Sequence, residues 1–405
     1  MTWNLLHIID YLLWIFMAGS VFYVVFFAIA SLLRDKPATK KSLNCPQHRF
    51  YVIIPAYHED SVIRQTVEAF LKQDYPQSLY QLAVVSDHMT AETNEWLSGQ
   101  HLWLLQPSFS KSSKAKALQF AMNHAETTEK DAPFQYVVIL DADNLVSPTF
   151  LTQLNEVCCH GYQAIQCHRT AKNSDNNIAI LDGVSEEINN CLFRRAHNSI
   201  GLSSALIGSG MCFSYDWFNQ NVSHLNTAVE DRELEAQLMK QNVFIRYEKD
   251  IYVKDEKVND KDNFQRQRLR WMTGQIQTLL FMLPYLPKAI SQWNVNYIDK
   301  TIQQMLIPRS ILLISLLFFA ILMTLVASPW SIKWWLLLIT FSIGLIIAIP
   351  PQMRTRAIFG RVISLPILVW RMLVNLFHID KNNKEFIHTV HHQDSTKQAT
   401  PSDNE

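Results

Sequence analysis

Apolar positions along this chain follow two regimes. Near the start and in the last third they run unbroken for the length of a bilayer, and between these they come in short runs alternating with amphipathic stretches. Residues 12–33 carry no charged side chain, and some 20 apolar residues suffice to span a bilayer's hydrocarbon. Residues 311–327 and 334–349 predict two more spans, joined by a short connection at 328–333. Trp330, Trp334 and Trp335 sit there at the place of an interfacial aromatic belt. Residues 357–379 are apolar but include Arg361, Pro366 and Arg371. Charge in mid-membrane is costly, so that stretch predicts a helix lying in the cytoplasmic interface, with a fourth span as the alternative.

The short runs of the middle region predict strands at 50–54, 82–85, 102–105, 137–140 and 162–167. Helical periodicity intervenes at 114–125, 150–160 and 182–198. Such alternation predicts an α/β domain with a mostly parallel sheet and helices on both faces. Right-handed crossovers gather the strand ends on one rim, where ligands bind in open sheets. Tyr57, Glu59, Asp87, Asp141 and Asp143 all stand just after strands and converge there.

The run 137–140 ends in Asp141-Ala142-Asp143. Alternate residues of an extended chain share a face, so both carboxylates point one way. They suit a hard cation such as Mg²⁺, or else cap a helix or build a turn. Gly208-Ser209-Gly210 is a turn in which backbone can approach a ligand closely. Glu230 and Asp231 open a helix, where acids also offset the macrodipole. Arg266, Arg268 and Arg270, followed by Trp271, read either as a snorkelling collar at a membrane surface or as a phosphate clamp.

Charge fixes orientation. Arg34, Lys36, Lys40 and Lys41 follow the first apolar run, and no Lys or Arg precedes it. It therefore reads as an uncleaved anchor in the plasma (inner) membrane, with the N-terminus outside and the middle domain cytoplasmic. Lys333 alone marks the hairpin connection, whereas Arg354, Arg356 and Arg361 follow the last span. The expected organisation is an anchor at 1–34, a cytoplasmic domain at 48–262 and an interfacial helix segment at 263–292. A transmembrane hairpin at 306–350, the stretch 357–379 and a polar tail at 381–405 follow; the tail reads as a disordered segment, or else as one whose His391 and His392 reach the domain's ligand rim. The chain is 48% hydrophobic and only 18% charged, against about 25% charged in ordinary globular domains. A net charge of +0 offers no global field for nucleic acid. Six cysteines without metal or framework spacing read as reduced thiols.

Taken together and in this order, these motifs resemble the membrane-embedded family 2 glycosyltransferases, the group of cellulose, chitin, hyaluronan and poly-N-acetylglucosamine synthases. The resemblance covers about residues 52–271 and the flanking spans. Residues 52–59, V-I-I-P-A-Y-H-E, are similar to the first strand and nucleotide-binding turn of the GT-A fold, with His58 where the family often has Asn. Ser86-Asp87 looks like the uracil-contacting strand end, and Lys114 lies in a variant of G-K-A-x-A-L-N. Asp141-Ala142-Asp143 matches D-x-D, and Glu230-Asp231 matches T-E-D with Val229 in place of Thr. Gln267-Arg268-Leu269-Arg270-Trp271 matches Q-x-x-R-W, typical of enzymes that hold a growing chain.

The resemblance implies an inverting hexosyltransferase using a UDP-sugar and Mg²⁺ or Mn²⁺. Tyr57, Glu59 and Asp87 would take the uracil, and Lys114, Asp141, Gln267, Arg270 and Trp271 the rest of the nucleotide sugar. Asp143 with Asp141 would hold the metal, and Asp231 would be the general base. Gly208, Ser209, Gly210, Glu230 and Trp271 would line the acceptor site. A growing polysaccharide is the expected acceptor, with a single addition to a polyprenyl phosphate or other lipid as the alternative. Membrane lipids are expected contacts, as is a partner subunit or homo-oligomer for export. A membrane-anchored sugar-nucleotide binder without turnover would have no use for Asp231.

Overall fold

The strands forecast from the middle region assemble into one sheet. The computed structural model describes residues 2–33, 45–129, 133–172, 177–225, 229–257, 261–326 and 328–355. The readings on 34–41, 357–379 and 381–405, His391 and His392 included, lie outside these. The strands are β1 (Phe50–Tyr57), β2 (Tyr80–Asp87), β3 (Trp103–Leu105), β4 (Tyr136–Ile139), β5 (Leu145–Val146), β6 (Ala164–Ala171), β7 (Met211–Ser214) and β8 (Ile245–Asp255). Their order is β3-β2-β1-β4-β7-β6-β8-β5. β1 pairs with β2 and β4 in parallel, as β2 does with β3 and β6 with β8. β7 lies antiparallel between β4 and β6, so the expected parallel half continues into a mixed one.

Alternation in β1 explains the layers. Tyr51 and Ile53 face a core built with the helix Lys114–Thr128, while Phe50, Val52 and Ile54 face one built with Ile63–Phe70 and Phe150–Cys158. Both faces of the strand are dry, which is why it reads as a continuous apolar run.

Among the described residues, three helices are long and apolar enough to cross a membrane: Leu6–Ala30, Arg309–Val326 and Pro329–Ala348. The expected connection at 328–333 is helical instead, since the last helix spans Ser328–Ala348. Proline is tolerated in a first helical turn, so Pro329 does not break it. Lys333 and Trp334 then turn inward onto Asp10 of the first helix, the indole Nε1 donating at 2.9 Å. Val24, Phe27, Leu312, Leu316 and Phe341 form a third core, which Val184 and Leu192 join from the sheet domain. Polar contacts fasten the same junction. Tyr23 of the first helix donates to Asp299 at 2.9 Å, and His197 Nε2 lies 3.1 Å from the same carboxylate.

The reading of six reduced thiols fails at one pair. Cys45 and Cys159 are joined as a disulfide, with Cα atoms 5.7 Å apart. A separation of 114 residues hid this pairing. Asn155 produces it by accepting from the His48 amide at 2.9 Å and donating to the Pro46 carbonyl at 3.2 Å, which pins the segment before β1 onto the helix ending at Cys158.

Candidate active site

β2, β1 and β4 are neighbours, and their C-terminal ends open on one edge. Register places Tyr57 beside Asp87. The backbone then turns through His58 at φ 54° and, after β2, through His88 at φ 57°. His and Asn tolerate this left-handed region better than most residues. His88 Nδ1 lies 2.6 Å from Asp87 Oδ1 and so orients that carboxylate.

Lys114 is the first residue of its helix because Ser113 caps it, accepting from the Lys116 amide at 3.2 Å. Its ammonium donates to Asp141 Oδ1 at 2.5 Å and to the Gly208 carbonyl at 2.7 Å, and stands 3.3 Å from Glu230 Oε1. Burial alone would depress the Lys114 pKa, but Asp141, Glu230 and Asp231 outweigh it and hold the group charged. Burial pushes the Glu230 carboxyl up, with Asp231 adding to it and Lys114 opposing.

Gly208 has φ +85°, and a Cβ there would stand 3.7 Å from Asp231 Oδ2. The turn thus brings a carbonyl to Lys114 and bare backbone to Asp231. Gly210 has φ +62°, and a Cβ on it would lie 2.9 Å from Val253 of β8. The expected acceptor turn therefore divides. Gly208 lines the cavity, while buried Ser209 and Gly210 are pressed behind it against Gln166 and β8.

The helix Lys261–Met282 carries Gln267, Arg270 and Trp271 to the same space. Among the described residues, Gln267 Oε1 is buried without a hydrogen-bond partner. Tyr57, Glu59, Asp87, Lys114, Asp141, Asp143, Gly208, Glu230, Asp231, Gln267, Arg270 and Trp271 all line one cavity of about 710 Å³.

Asp143 is buried; its Oδ2 accepts from the Glu256 amide at 3.0 Å and its Oδ1 from Asn144 at 3.0 Å. Burial, then the nearby Asp255 and Asp141 carboxylates, push its pKa well up. Asp255 goes the other way: despite burial, Lys257 and Arg169 hold it ionised, at 2.9 and 3.4 Å. Arg169 also meets Glu186 at 3.0 Å, and Lys257 contacts the same carboxylate. Sequence reasoning missed this cluster, because its members meet only when β6, β8 and the helix Asn177–Asn189 are brought together. The one local signal was Arg169 in register with the inward-facing Ile165 and Cys167.

The expected pair Asp143 and Asp141 suits a hard divalent cation, which would relieve the repulsion now raising Asp143, whereas Asp255 is already neutralised by Lys257 and Arg169. Among the described residues, no cluster of three or more His, Cys, Asp or Glu side chains is arranged to hold a metal. Such a cation would complete its shell from substrate oxygens and water, as Mg²⁺ commonly does.

Residues 46–274 match the profile of a family described as Glycosyltransferase like family 2. The chain belongs to that family. It is a glycosyltransferase that uses nucleotide sugars, built on a GT-A-like α/β fold. No curated protein matches it significantly. Among solved structures, the mannosyltransferase PcManGT from Pyrobaculum calidifontis, in complex with GDP-Man and Mn²⁺, is similar at 16% identity and a TM-score of 0.51. That similarity covers 90% of this glycosyltransferase and all of the other chain, and it shows a shared fold. S. aureus TarS is 16% identical over 58% of this chain and 40% of its own, with a TM-score of 0.39. Glucosyl-3-phosphoglycerate synthase from Mycobacterium tuberculosis is 17% identical over 57% of this chain and 79% of its own, with a TM-score of 0.38.

Proposed function

We propose that this glycosyltransferase is a membrane-bound, inverting hexosyltransferase that moves a sugar from a UDP-sugar to a hydroxyl of a growing glycan, with Asp231 as general base. The observation that carries the reading is Asp231 beside the bare Gly208 turn, in one cavity with the Tyr57–Asp87 pair and the Asp141–Asp143 acids. Tyr57 packs on the base, and Asp87 with Glu59 takes its polar edge. Asp143, with Asp141, would hold Mg²⁺ or Mn²⁺; PcManGT, solved with GDP-Man and Mn²⁺, supports a divalent ion. When bound, that ion neutralises charge growing on the departing diphosphate. Lys114 keeps Asp141 and the Gly208 turn in place, and Arg270 adds a fixed positive charge.

The acceptor oxygen attacks the anomeric carbon, its proton passes to Asp231, and the bond from that carbon to the diphosphate oxygen breaks. One displacement inverts the configuration. Gln267 Oε1, buried and without a hydrogen-bond partner among the described residues, would accept from a sugar hydroxyl, and the Trp271 indole offers a face to a ring. The three apolar helices and the basic residues after the first and last of them support a cytoplasmic site with the N-terminus outside.

General-base catalysis is worth about 10² to 10⁴ in rate. Asp231→Asn should lose about that much turnover while nucleotide affinity stays. The assay is nucleotide release from a panel of UDP- and GDP-sugars with Mg²⁺ or Mn²⁺. Normal turnover by the variant would remove Asp231 from the mechanism. A preference for GDP-sugars would overturn the uracil reading and leave the base in place.

A further inference from the structure

The helix Glu230–Lys240 opens with four acids in six residues, Glu230, Asp231, Glu233 and Glu235. The macrodipole accounts for acids in a first turn and fades beyond it, so Glu235 needs another reason. Its side chain is buried and borders the same cavity. It stands four residues after Asp231, on the same face of the helix. Like charges at that spacing repel, and a buried carboxylate is costly unless it is paired and hydrogen-bonded.

Both conditions are met. Glu235 Oε2 accepts from the Leu206 amide at 2.7 Å. Lys300, fully buried on the helix Val295–Met305, supplies the opposite charge. Burial pushes the Glu235 carboxyl up, while Lys300, the Leu206 amide and Arg232 pull it down and Asp231 adds to the rise.

Leu206 lies two residues before Gly208. β7 starts only at Met211, so this stretch joins no strand ladder and side chains hold it instead. Gln166 of β6 accepts from the Ile207 amide at 3.0 Å and donates to the Ser209 carbonyl at 2.9 Å, which fixes the rear of the turn to the sheet. Glu235 fixes its front to the helix that carries Asp231. Helix and turn therefore meet at two points, Asp231 against the bare backbone of Gly208 and Glu235 at the Leu206 amide.

Resting on the transferase reading above, we propose that Glu235 is a positioning residue, which holds the Gly208 turn at the spacing from Asp231 that an acceptor hydroxyl needs. Asp231 takes the proton, and Glu235 acts on the reaction through the turn.

The test compares two double variants of the full chain in lipid nanodiscs, Glu235→Gln with Lys300→Met and Glu235→Leu with Lys300→Met. Both remove the buried charges together, so neither leaves the Lys300 ammonium beside a lost partner. They differ in whether the Leu206 amide keeps an acceptor. Turnover is counted per nucleotide-binding site, so an unfolded fraction does not enter it. The Gln variant should keep at least about a third of parental kcat, since a neutral acceptor still satisfies the amide. The Leu variant should lose about 10- to 100-fold in kcat, the cost of a misplaced reacting group. Its donor KM should stay within about threefold of the parent's, because the donor's own contacts are untouched. Hydrogen exchange at the Leu206 amide should quicken about tenfold or more in the Leu variant and stay near parental in the Gln variant. Equal kcat in the two variants, or a loss that lies in donor KM with kcat kept, overturns the proposal. So does a Leu206 amide that exchanges as slowly without its acceptor as with it. A parent that turns over no nucleotide sugar refutes the transferase reading, and the exchange comparison then decides by itself whether Glu235 holds the turn.

Discussion

Gly274 is the position where the smallest change should have the largest consequence. It lies one helical turn beyond Arg270, and a Cβ there would come 2.6 Å from Val229 Cγ1 and 3.0 Å from Cγ2. Favourable carbon contacts lie at about 3.5–4.0 Å, so the added methyl needs most of an ångström of movement. Val229 directly precedes Glu230 and Asp231, so what moves is either the start of the helix bearing the base or the helix bearing Arg270. In Gly274→Ala two effects compete. Alanine favours a helix over glycine by about 0.8–1.0 kcal/mol, while overpacking a tight contact costs about 1–3 kcal/mol. The clash should win on stability. It should weigh more on catalysis, since a misplacement of about 1 Å can cost about 10²-fold in rate. Removing the two methyls that clash, by Val229→Ala in the same chain, should restore much of both. The assay is a double-mutant cycle over the four proteins, reading nucleotide release and the thermal midpoint in detergent. Coupling of about 1–3 kcal/mol in favour of the double variant is expected. Additive effects, or a Gly274→Ala protein as active and stable as the parent, would refute the reasoning.

Asp143→Asn should raise the Mn²⁺ concentration needed for half-maximal turnover by at least about tenfold. Without metal its thermal midpoint should not fall, because the change removes a carboxylate that Asp255 crowds; an unchanged metal titration would exclude Asp143 as a ligand. Glu186→Gln should destabilise the protein by about 3–5 kcal/mol, because Arg169 and Lys257 stay buried with a partner gone. The same residue sets a pH response. Despite burial, Arg169 and Lys257 hold the Glu186 carboxyl down at about 2, against an ordinary value of 4.5. Its stabilisation is therefore present above about 4.5 and lost as pH falls from there toward 2. Thermal midpoints across that window should fall for the parent more steeply than for Glu186→Gln, and parallel curves would contradict the assignment.

What was legible in the sequence was local. β1, β2 and β4 announce themselves as short apolar runs, and the acids after them gather wherever such strands lie side by side. Strand direction was less legible, because a doubly buried strand such as β7 shows the same pattern whether parallel or antiparallel. Asp255, Lys257 and Arg169 were illegible for a related reason. Each reads as an ordinary charge in its own segment, and only pairing across β6 and β8 makes a cluster of them. The 328–333 connection misled because Pro329 and Lys333 look like loop residues until Asp10 is found opposite. The glycine turn was found but overvalued as a unit, since only one of its three residues faces the cavity.

The junction of Tyr23, His197 and Asp299 bears on the order of events at the ribosome. Tyr23 is separated from His197 by 174 residues and from Asp299 by 276. At about 5–20 residues per second, roughly 15–60 s pass between synthesis of the first helix and synthesis of its last polar partner. During that interval the Tyr23 hydroxyl lacks Asp299, although His197, made earlier, already has Phe27 of the first helix to stack against. The chain therefore closes this joint late, after the helix carrying Asp231 and the helix carrying Arg270 have both emerged.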